Sequence, residues 1–108
     1  MNKFFKVNKD TFVDVIMPNY NKGKFLEESI NSVIKQKYKN WKLFIIDNFS
    51  NDNSRNIIDK FQGKFENIYI VYLKKNMGAA FSRNLGIRLS KSKYISFLDS
   101  DDYWSFNK

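Results

Sequence analysis

The chain is predicted to be an α/β protein of three layers, with helices on both faces of a mostly parallel sheet. Four short runs rich in β-branched and aromatic residues alternate with three segments whose apolar residues recur at helical spacing. The connections are long enough for the right-handed helical crossovers that join parallel strands. The resulting order β-α-β-α-β-α-β is typical of a parallel sheet covered on both faces.

The first strand is predicted at residues 12–17, where a β-rich run ends at Pro18. Its apolar residues do not alternate with polar ones, which indicates burial on both faces. A helix is predicted at residues 24–36, with Glu27 and Glu28 in its first turn, where the helix dipole favours acidic side chains.

The rest of the chain repeats this alternation. The predicted elements are a strand at residues 43–46, a helix with Ile57, Ile58, Phe61 and Phe65 on one face, a strand at 68–73, a helix at 79–90 and a strand at 94–98. Gly86 falls inside the third helix, where glycine costs about 1 kcal/mol relative to alanine. We therefore expect the third helix to pack closely against a strand at Gly86.

Composition limits the chemistry that the chain can perform. Its 108 residues predict one domain at residues 12–108, after a polar lead-in at residues 1–11. The chain contains no cysteine and no histidine, which excludes disulfides, thiolate or imidazole metal sites and a histidine general base. The net charge of +8 indicates attraction to anions. Neither a signal peptide nor a membrane-spanning apolar run is recognised, so a cytoplasmic protein is expected.

Three carboxylates follow the fourth predicted strand directly, at Asp99, Asp101 and Asp102. Two like charges about 4 Å apart repel by roughly 4 kcal/mol at a near-surface dielectric, so the fold must solvate them, protonate one or supply a cation. Oxygen ligands at the end of a strand suit Mg²⁺ or Mn²⁺ that bridges a phosphorylated ligand. The structural alternative is an exposed turn.

Polar segments also follow the first and second strands. Because ligands bind beyond the carboxyl ends of parallel strands where the strand order reverses, we expect Tyr20, Asp47 and Asp101 to converge on one rim of the sheet. Tyr20 could stack on a base and Asp47 could accept a hydrogen bond from a base or ribose, but turn packing and helix capping are the simpler alternatives. Arg83 could bind a phosphate, pair with the acidic cluster, or be an ordinary surface cation.

Four stretches of the chain resemble, in order and spacing, the motifs of family 2 glycosyltransferases, which have the Rossmann-like GT-A fold and bind nucleotide sugars. The stretches are residues 13–21, 45–52, 76–86 and 97–102. Together they cover roughly residues 12 to 104, and the chain is similar to the amino-terminal half of such an enzyme.

The resemblance implies a nucleotide-sugar site built from these motifs. Asp99, Ser100 and Asp101 match the family's DXD motif, with Asp101 implied as the direct ligand of Mn²⁺ or Mg²⁺ on the donor diphosphate. The resemblance implies that Asp99 lies nearer the ribose or sugar of the donor, and Asp99 is predicted together with Asp101 as a metal ligand. The other residues implied to bind the nucleotide sugar, besides Asp99 and Ser100, are Pro18, Asn19, Tyr20, Asn21, Asp47, Asn48 and Arg83.

The resemblance further implies an inverting, metal-dependent transfer of a sugar from a UDP-sugar to the hydroxyl of a saccharide or lipid-linked acceptor, in cell-surface polysaccharide synthesis. A peripheral association with the inner face of the membrane is also expected, and the exposed edge of the sheet is expected to lead to a homodimer or to aggregation. The family's general base lies past the DXD motif, so it is expected beyond Lys108. The chain is therefore expected to be the donor-binding half, incomplete at its carboxyl end.

Two residues depart from the family pattern. Asn48 and Phe49 stand where the family often has Asp and Gly, which leaves the base preference open. The alternative function is a non-catalytic nucleotide-binding remnant or accessory module. Binding of nucleic acid is disfavoured, because carboxylates lie where a polyanion would dock and the lysines form no stripe.

Overall fold

The computed structural model describes residues 12–104, so the predicted lead-in at residues 1–11 and residues 105–108 lie outside the described part. Strands and helices alternate in the predicted order, which confirms the α/β class. The elements are β1 (Val13–Asn19), α1 (Gly23–Ile34), β2 (Trp41–Asp47), α2 (Ser54–Phe61), β3 (Ile68–Tyr72), α3 (Ala79–Leu89) and β4 (Tyr94–Phe97). Within residues 12–104, no helix is both long and apolar enough to cross a membrane.

The four strands form one sheet in the order β3-β2-β1-β4, and every pairing is parallel. The register places Asn19 beside Asp47 at the carboxyl end of β1 and β2. On the other side of β1, Ile16 pairs with Phe97 of β4. Strands β2 and β3 therefore lie on one side of β1, and β4 lies on its other side. The direction in which strands are added reverses between β1 and β4, which creates a topological switch point there.

The sheet is covered on both faces. Alternate residues of β1 and β2 face α1 and α2 on one side, in a cluster that includes Met17, Ile30 and Ile58. The opposite face carries a smaller cluster in which Ile16, Phe44 and Ile46 pack with Leu85 of α3 and with β3. Burial on both faces explains why β1 and β2 are continuously apolar.

The first strand extends past Pro18 instead of ending there, and the sheet topology explains why. Ile16 O accepts a hydrogen bond from Leu98 N, so the backbone groups of Ile16 and of Pro18, two residues later, face β4. The β1–β4 pairing ends at Ile16 and Phe97, before it reaches Pro18. The missing N–H of proline therefore costs the sheet no hydrogen bond.

Two smaller differences concern the helices. Because α1 begins at Gly23, Glu27 and Glu28 lie beyond its first turn, where the dipole argument no longer applies. Because α2 ends at Phe61, Phe65 does not share its face and instead packs on the core from the following turn, with its ring 6.4 Å from that of Phe61.

Gly86 lies where α3 crosses β1, as expected. A Cβ atom at Gly86 would lie 2.3 Å from Ile16 Cγ2, closer than real carbon atoms approach. The absent side chain therefore sets the distance between the helix and the sheet.

A buried carboxylate holds the connection between α3 and β4 against the start of β1. Asp14 is inaccessible to solvent and accepts hydrogen bonds from the hydroxyls of Ser90 and Ser92 and from the backbone N–H groups of Lys91 and Ser92. Burial acts to raise the pKa of the Asp14 carboxyl, but these hydrogen bonds outweigh it and hold the pKa below its ordinary value of 3.8.

Candidate functional site

A cavity of about 380 Å³ opens at the carboxyl ends of β1 and β4, at the topological switch point. It brings together residues from four separate parts of the chain. The predicted site residues that line it are Pro18, Asn19, Tyr20, Asn48, Arg83, Asp99, Ser100 and Asp101. The residues that line it without having been assigned to the site are Lys22, Asn76, Gly78, Ala79 and Ser82.

The first wall of the cavity comes from the end of β1. The Tyr20 side chain is 43% exposed, so part of its ring is available to a planar ligand. Asn19 is buried beside it, and Asn19 Nδ2 donates to Asp47 Oδ1 at 2.9 Å. Asn19 Oδ1 is buried without a hydrogen-bond partner among the described residues, which is costly unless a ligand or water supplies a donor.

Asp47 is buried and does not line the cavity. Its carboxylate accepts bonds from Ser50 N at 3.1 Å and Ser50 Oγ at 2.7 Å, in addition to the bond from Asn19. Ser50 Oγ in turn accepts a bond from Asn21 N at 2.9 Å. Asp47 thus joins the loop after β1 to the loop after β2, and its contact with a base stays a prediction.

Asn21 also serves the junction between these two loops. Its φ of 52° lies in the left-handed region, which asparagine adopts more readily than most residues. Asn21 Oδ1 accepts bonds from Asn51 N at 2.8 Å and Asp52 N at 3.3 Å. Asn21 is therefore outside the cavity lining in this structure, and its predicted contact with a nucleoside is untested.

Asp52 caps two helices at once, a role that the sequence did not reveal. Its carboxylate accepts bonds from Gly23 N at the start of α1 and from Ser54 N at the start of α2, both at 2.9 Å. Burial acts to raise the pKa of Asp52, and the hydrogen bonds outweigh it to leave the pKa lowered. Its position two residues before a helix was the available signal, because acidic side chains are preferred caps.

The acidic wall of the cavity consists of Asp99 and Asp101, which follow β4. Asp99 Oδ1 lies 3.4 Å from the Arg83 guanidinium, and Asp101 Oδ2 lies 3.6 Å from the Lys22 ammonium. All four side chains are about half exposed. Arg83 and Lys22 thus neutralise Asp99 and Asp101. The charged side chains that line the cavity therefore sum to zero net charge. The pairing of Lys22 with Asp101 could not be predicted from the sequence, because no local pattern connects two residues so far apart in the chain.

The acidic wall suits a hard cation that a ligand helps to hold. Mg²⁺ and related ions are often bound by one or two carboxylates together with substrate phosphates and water. Asp99 and Asp101 supply two accessible carboxylates at the cavity, and residues 12–104 contain no group of three acidic, histidine or cysteine side chains arranged to hold a metal ion by themselves. The donor set therefore fits a divalent ion shared with a phosphorylated ligand, and it does not form a complete protein site.

The family model of Glycosyl transferase family 2 matches residues 14–108. The putative teichuronic acid biosynthesis glycosyltransferase TuaG of Bacillus subtilis is 38% identical over 101 residues, which are 94% of this chain and 40% of TuaG. The poly(ribitol-phosphate) β-N-acetylglucosaminyltransferase TarP of Staphylococcus aureus is 45% identical over 95 residues, which are 83% of this chain and 28% of TarP. The chain thus spans well under half the length of these relatives.

Solved structures share the fold. S. aureus TarS 1-349 in complex with UDP superposes with a TM-score of 0.81 at 29% identity, covering 90% of this chain and 29% of that one. The mannosyltransferase PcManGT of Pyrobaculum calidifontis superposes with a TM-score of 0.78 at 22% identity, covering 85% of this chain and 28% of that one. The second likeness concerns the fold alone.

Proposed function

Because this chain belongs to glycosyl transferase family 2, we propose that it forms the donor-binding part of an enzyme that transfers a sugar from a nucleoside diphosphate to an acceptor hydroxyl. The observation that carries this proposal is the convergence of Tyr20, Arg83 and Asp101 on one cavity at the switch point of the sheet. An aromatic ring, a guanidinium and a carboxylate are the groups needed for a base, a phosphate and a cation, respectively.

Each of these side chains has a distinct role in the proposal. Tyr20 stacks on the nucleobase, and the buried Asn19 Oδ1 takes part in recognition of the nucleoside. Arg83 and Lys22 leave their carboxylate partners and bind the oxygens of the diphosphate. Asp101, with Asp99, holds Mn²⁺ or Mg²⁺. When bound, such an ion neutralises charge on the departing nucleoside diphosphate.

The relatives support a more specific donor and acceptor. TarS, at 29% identity, has been crystallised with UDP and with UDP-GlcNAc, which supports a UDP-sugar as the donor. An E. coli relative at 39% identity is named as a glucosyltransferase acting on α-D-GlcNAc-diphosphoundecaprenol, which supports a lipid-linked acceptor in glycoconjugate synthesis. We therefore extend the proposal to an inverting displacement of the nucleoside diphosphate by the acceptor hydroxyl. We also propose that the protein acts at the inner face of the membrane, a location that the net charge of +8 favours. The homodimer stays a prediction.

Calorimetric titration of UDP tests the donor site. We expect binding that is stronger with Mn²⁺ than with EDTA, and Asp101→Asn should remove most of that difference. Asp102→Asn is the matched control, because Asp102 is the neighbouring exposed carboxylate and does not line the cavity. Equal UDP affinity with and without the metal, or metal dependence that survives in D101N, would contradict the proposal. Nucleotide binding without sugar transfer to any acceptor would favour the non-catalytic alternative.

A further inference from the structure

Two asparagine side chains beside the cavity, Asn48 and Asn76, form an amide pair whose orientation the backbone fixes. Asn48 Oδ1 accepts a bond from Met77 N at 2.7 Å, and Asn76 Oδ1 accepts one from Gly78 N at 2.9 Å. Because backbone N–H groups only donate, these bonds identify the oxygen atom of each carboxamide. Asn48 Nδ2 therefore donates to Asn76 Oδ1, at 2.9 Å.

The pair connects β2 to the turn that precedes α3. Asn48 follows β2 directly and is 4% exposed, so its side chain is well held. Gly78 has a φ of 88°, a left-handed conformation that glycine adopts without strain. Gly78 and Ala79, at the start of α3, both line the cavity. The amide pair thus holds the backbone at the point where the chain turns into the helix and forms a wall of the cavity.

We propose that Asn48 is a positioning residue for donor binding, because its carboxamide, acting through Asn76, fixes Gly78 and Ala79 against the nucleotide sugar. The inference rests on the proposed function, which makes this cavity the donor site. It also gives a reason for an amide at position 48. A carboxylate there would place a lone pair against Asn76 Oδ1, and rotating the Asn76 carboxamide would set its Nδ2 against the N–H of Gly78.

Two chemically identical substitutions distinguish this role from general packing. Asn76→Asp keeps an oxygen that accepts from both Asn48 Nδ2 and Gly78 N, so the turn keeps its hydrogen bonds. Asn48→Asp removes the donor to Asn76 Oδ1. Asn56→Asp, on the exposed surface of α2, adds the same charge away from the turn and is the matched control.

We expect N48D at pH 7 to lose about tenfold in UDP affinity and about tenfold in protection of the Gly78 amide from hydrogen exchange, the scale of one lost hydrogen bond. N76D and N56D should stay within about twofold of wild type in both measurements.

The charged groups on the elements around Asn48 are common to all these variants, so they do not produce the difference. They are Asp47 on β2, Lys74 and Lys75 after β3, and Arg83 on α3.

Wild-type behaviour of N48D in both measurements, or equal damage by N76D, would overturn the inference. If wild type binds neither UDP nor GDP, the proposed function fails, while exchange at the Gly78 amide still decides whether the pair fixes the turn.

Discussion

Lys22 Nζ lies 3.6 Å from Asp101 Oδ2, so the carboxylate implied as a metal ligand is paired with a lysine from the opposite loop. Both side chains are about half exposed, and such pairs contribute roughly 0.2–1 kcal/mol to stability. The pair is therefore weak enough to exchange for a stronger partner on either side. In the proposed donor site, Lys22 would compete with a cation for Asp101 and would attract the phosphates that accompany that cation.

Lys22→Met should therefore change two affinities in opposite directions. We expect affinity for Mn²⁺ alone to rise about threefold, because one unit of positive charge leaves the cavity, and affinity for UDP in EDTA to fall by a similar factor. Calorimetry measures both. Lys24→Met, at an exposed lysine outside the cavity lining, has the same net charge and should show neither effect. A parallel change in both affinities would contradict the exchange.

Replacement of the buried Asp14 should be strongly destabilising. In Asp14→Asn the amide oxygen can still accept from the N–H groups of Lys91 and Ser92, but the negative charge that strengthens all four hydrogen bonds is lost and Nδ2 replaces the oxygen that accepts from Ser92 Oγ. We therefore expect a loss of about 1–3 kcal/mol in the free energy of unfolding. Urea titration measures the loss. Asp102→Asn, at an exposed carboxylate, should change stability by less than about 0.5 kcal/mol. A similar small effect for D14N would show that the four hydrogen bonds contribute little.

The same carboxylate predicts a pH dependence. Its pKa in the folded chain lies below the ordinary 3.8, so the folded state binds this proton less readily than the unfolded state does. The stability that Asp14 contributes is therefore present above about pH 4 and is lost as pH falls through its folded pKa. Urea titrations between pH 5 and pH 2.5 should show a steeper loss in wild type than in D14N. Parallel curves would contradict the assignment.

Gly86→Ala should destabilise the chain although alanine is the better helix former. The added Cβ would lie 2.3 Å from Ile16 Cγ2, and overpacking of this kind costs about 1–3 kcal/mol. Asn84→Ala, at an exposed position of the same helix, should be neutral or slightly stabilising. Thermal unfolding compares the two variants. If G86A were as stable as N84A, the helix would be free to move away from the sheet.

Phe49 has a φ of 63° and is 54% exposed, so a bulky side chain occupies a left-handed position. Such a conformation costs about 1–2 kcal/mol in residues other than glycine. Phe49→Gly should consequently be about 1 kcal/mol more stable than Phe49→Ala, which also removes the ring but keeps the strain. Urea titration decides between them, and equal stability would mean that the turn relaxes without cost.

The order of elements follows from local patterns, and the sequence therefore predicts it well. Continuous apolar runs indicate strands that are buried on both faces, and Gly86 signals close packing from its position within a helix. Tyr20, Asp99 and Asp101 line one cavity because parallel strands end on the same edge of the sheet, as the order of strands predicts.

The functions of individual site residues were harder to predict, because their partners are distant in the sequence. Asn19 donates to Asp47 across 28 positions, and Gly23 donates to Asp52 across 29. Lys22 meets Asp101 only after three crossovers have been built. No local pattern encodes these contacts, so the sequence does not reveal that Asp47 is buried in a hydrogen-bond network and does not line the cavity.

The two sides of the cavity are held in different ways. Bonds among Asn19, Asp47 and Ser50 brace the side that carries Tyr20, and much of this network is buried. Within residues 12–104, Asp99 and Asp101 meet the facing basic side chains through half-exposed ion pairs. In the proposed donor site, the base would therefore meet the side braced by hydrogen bonds, and the diphosphate would meet the side held by exchangeable ion pairs. The braced side would discriminate between ligands, whereas the other side would adapt to a change of charge without disturbing it.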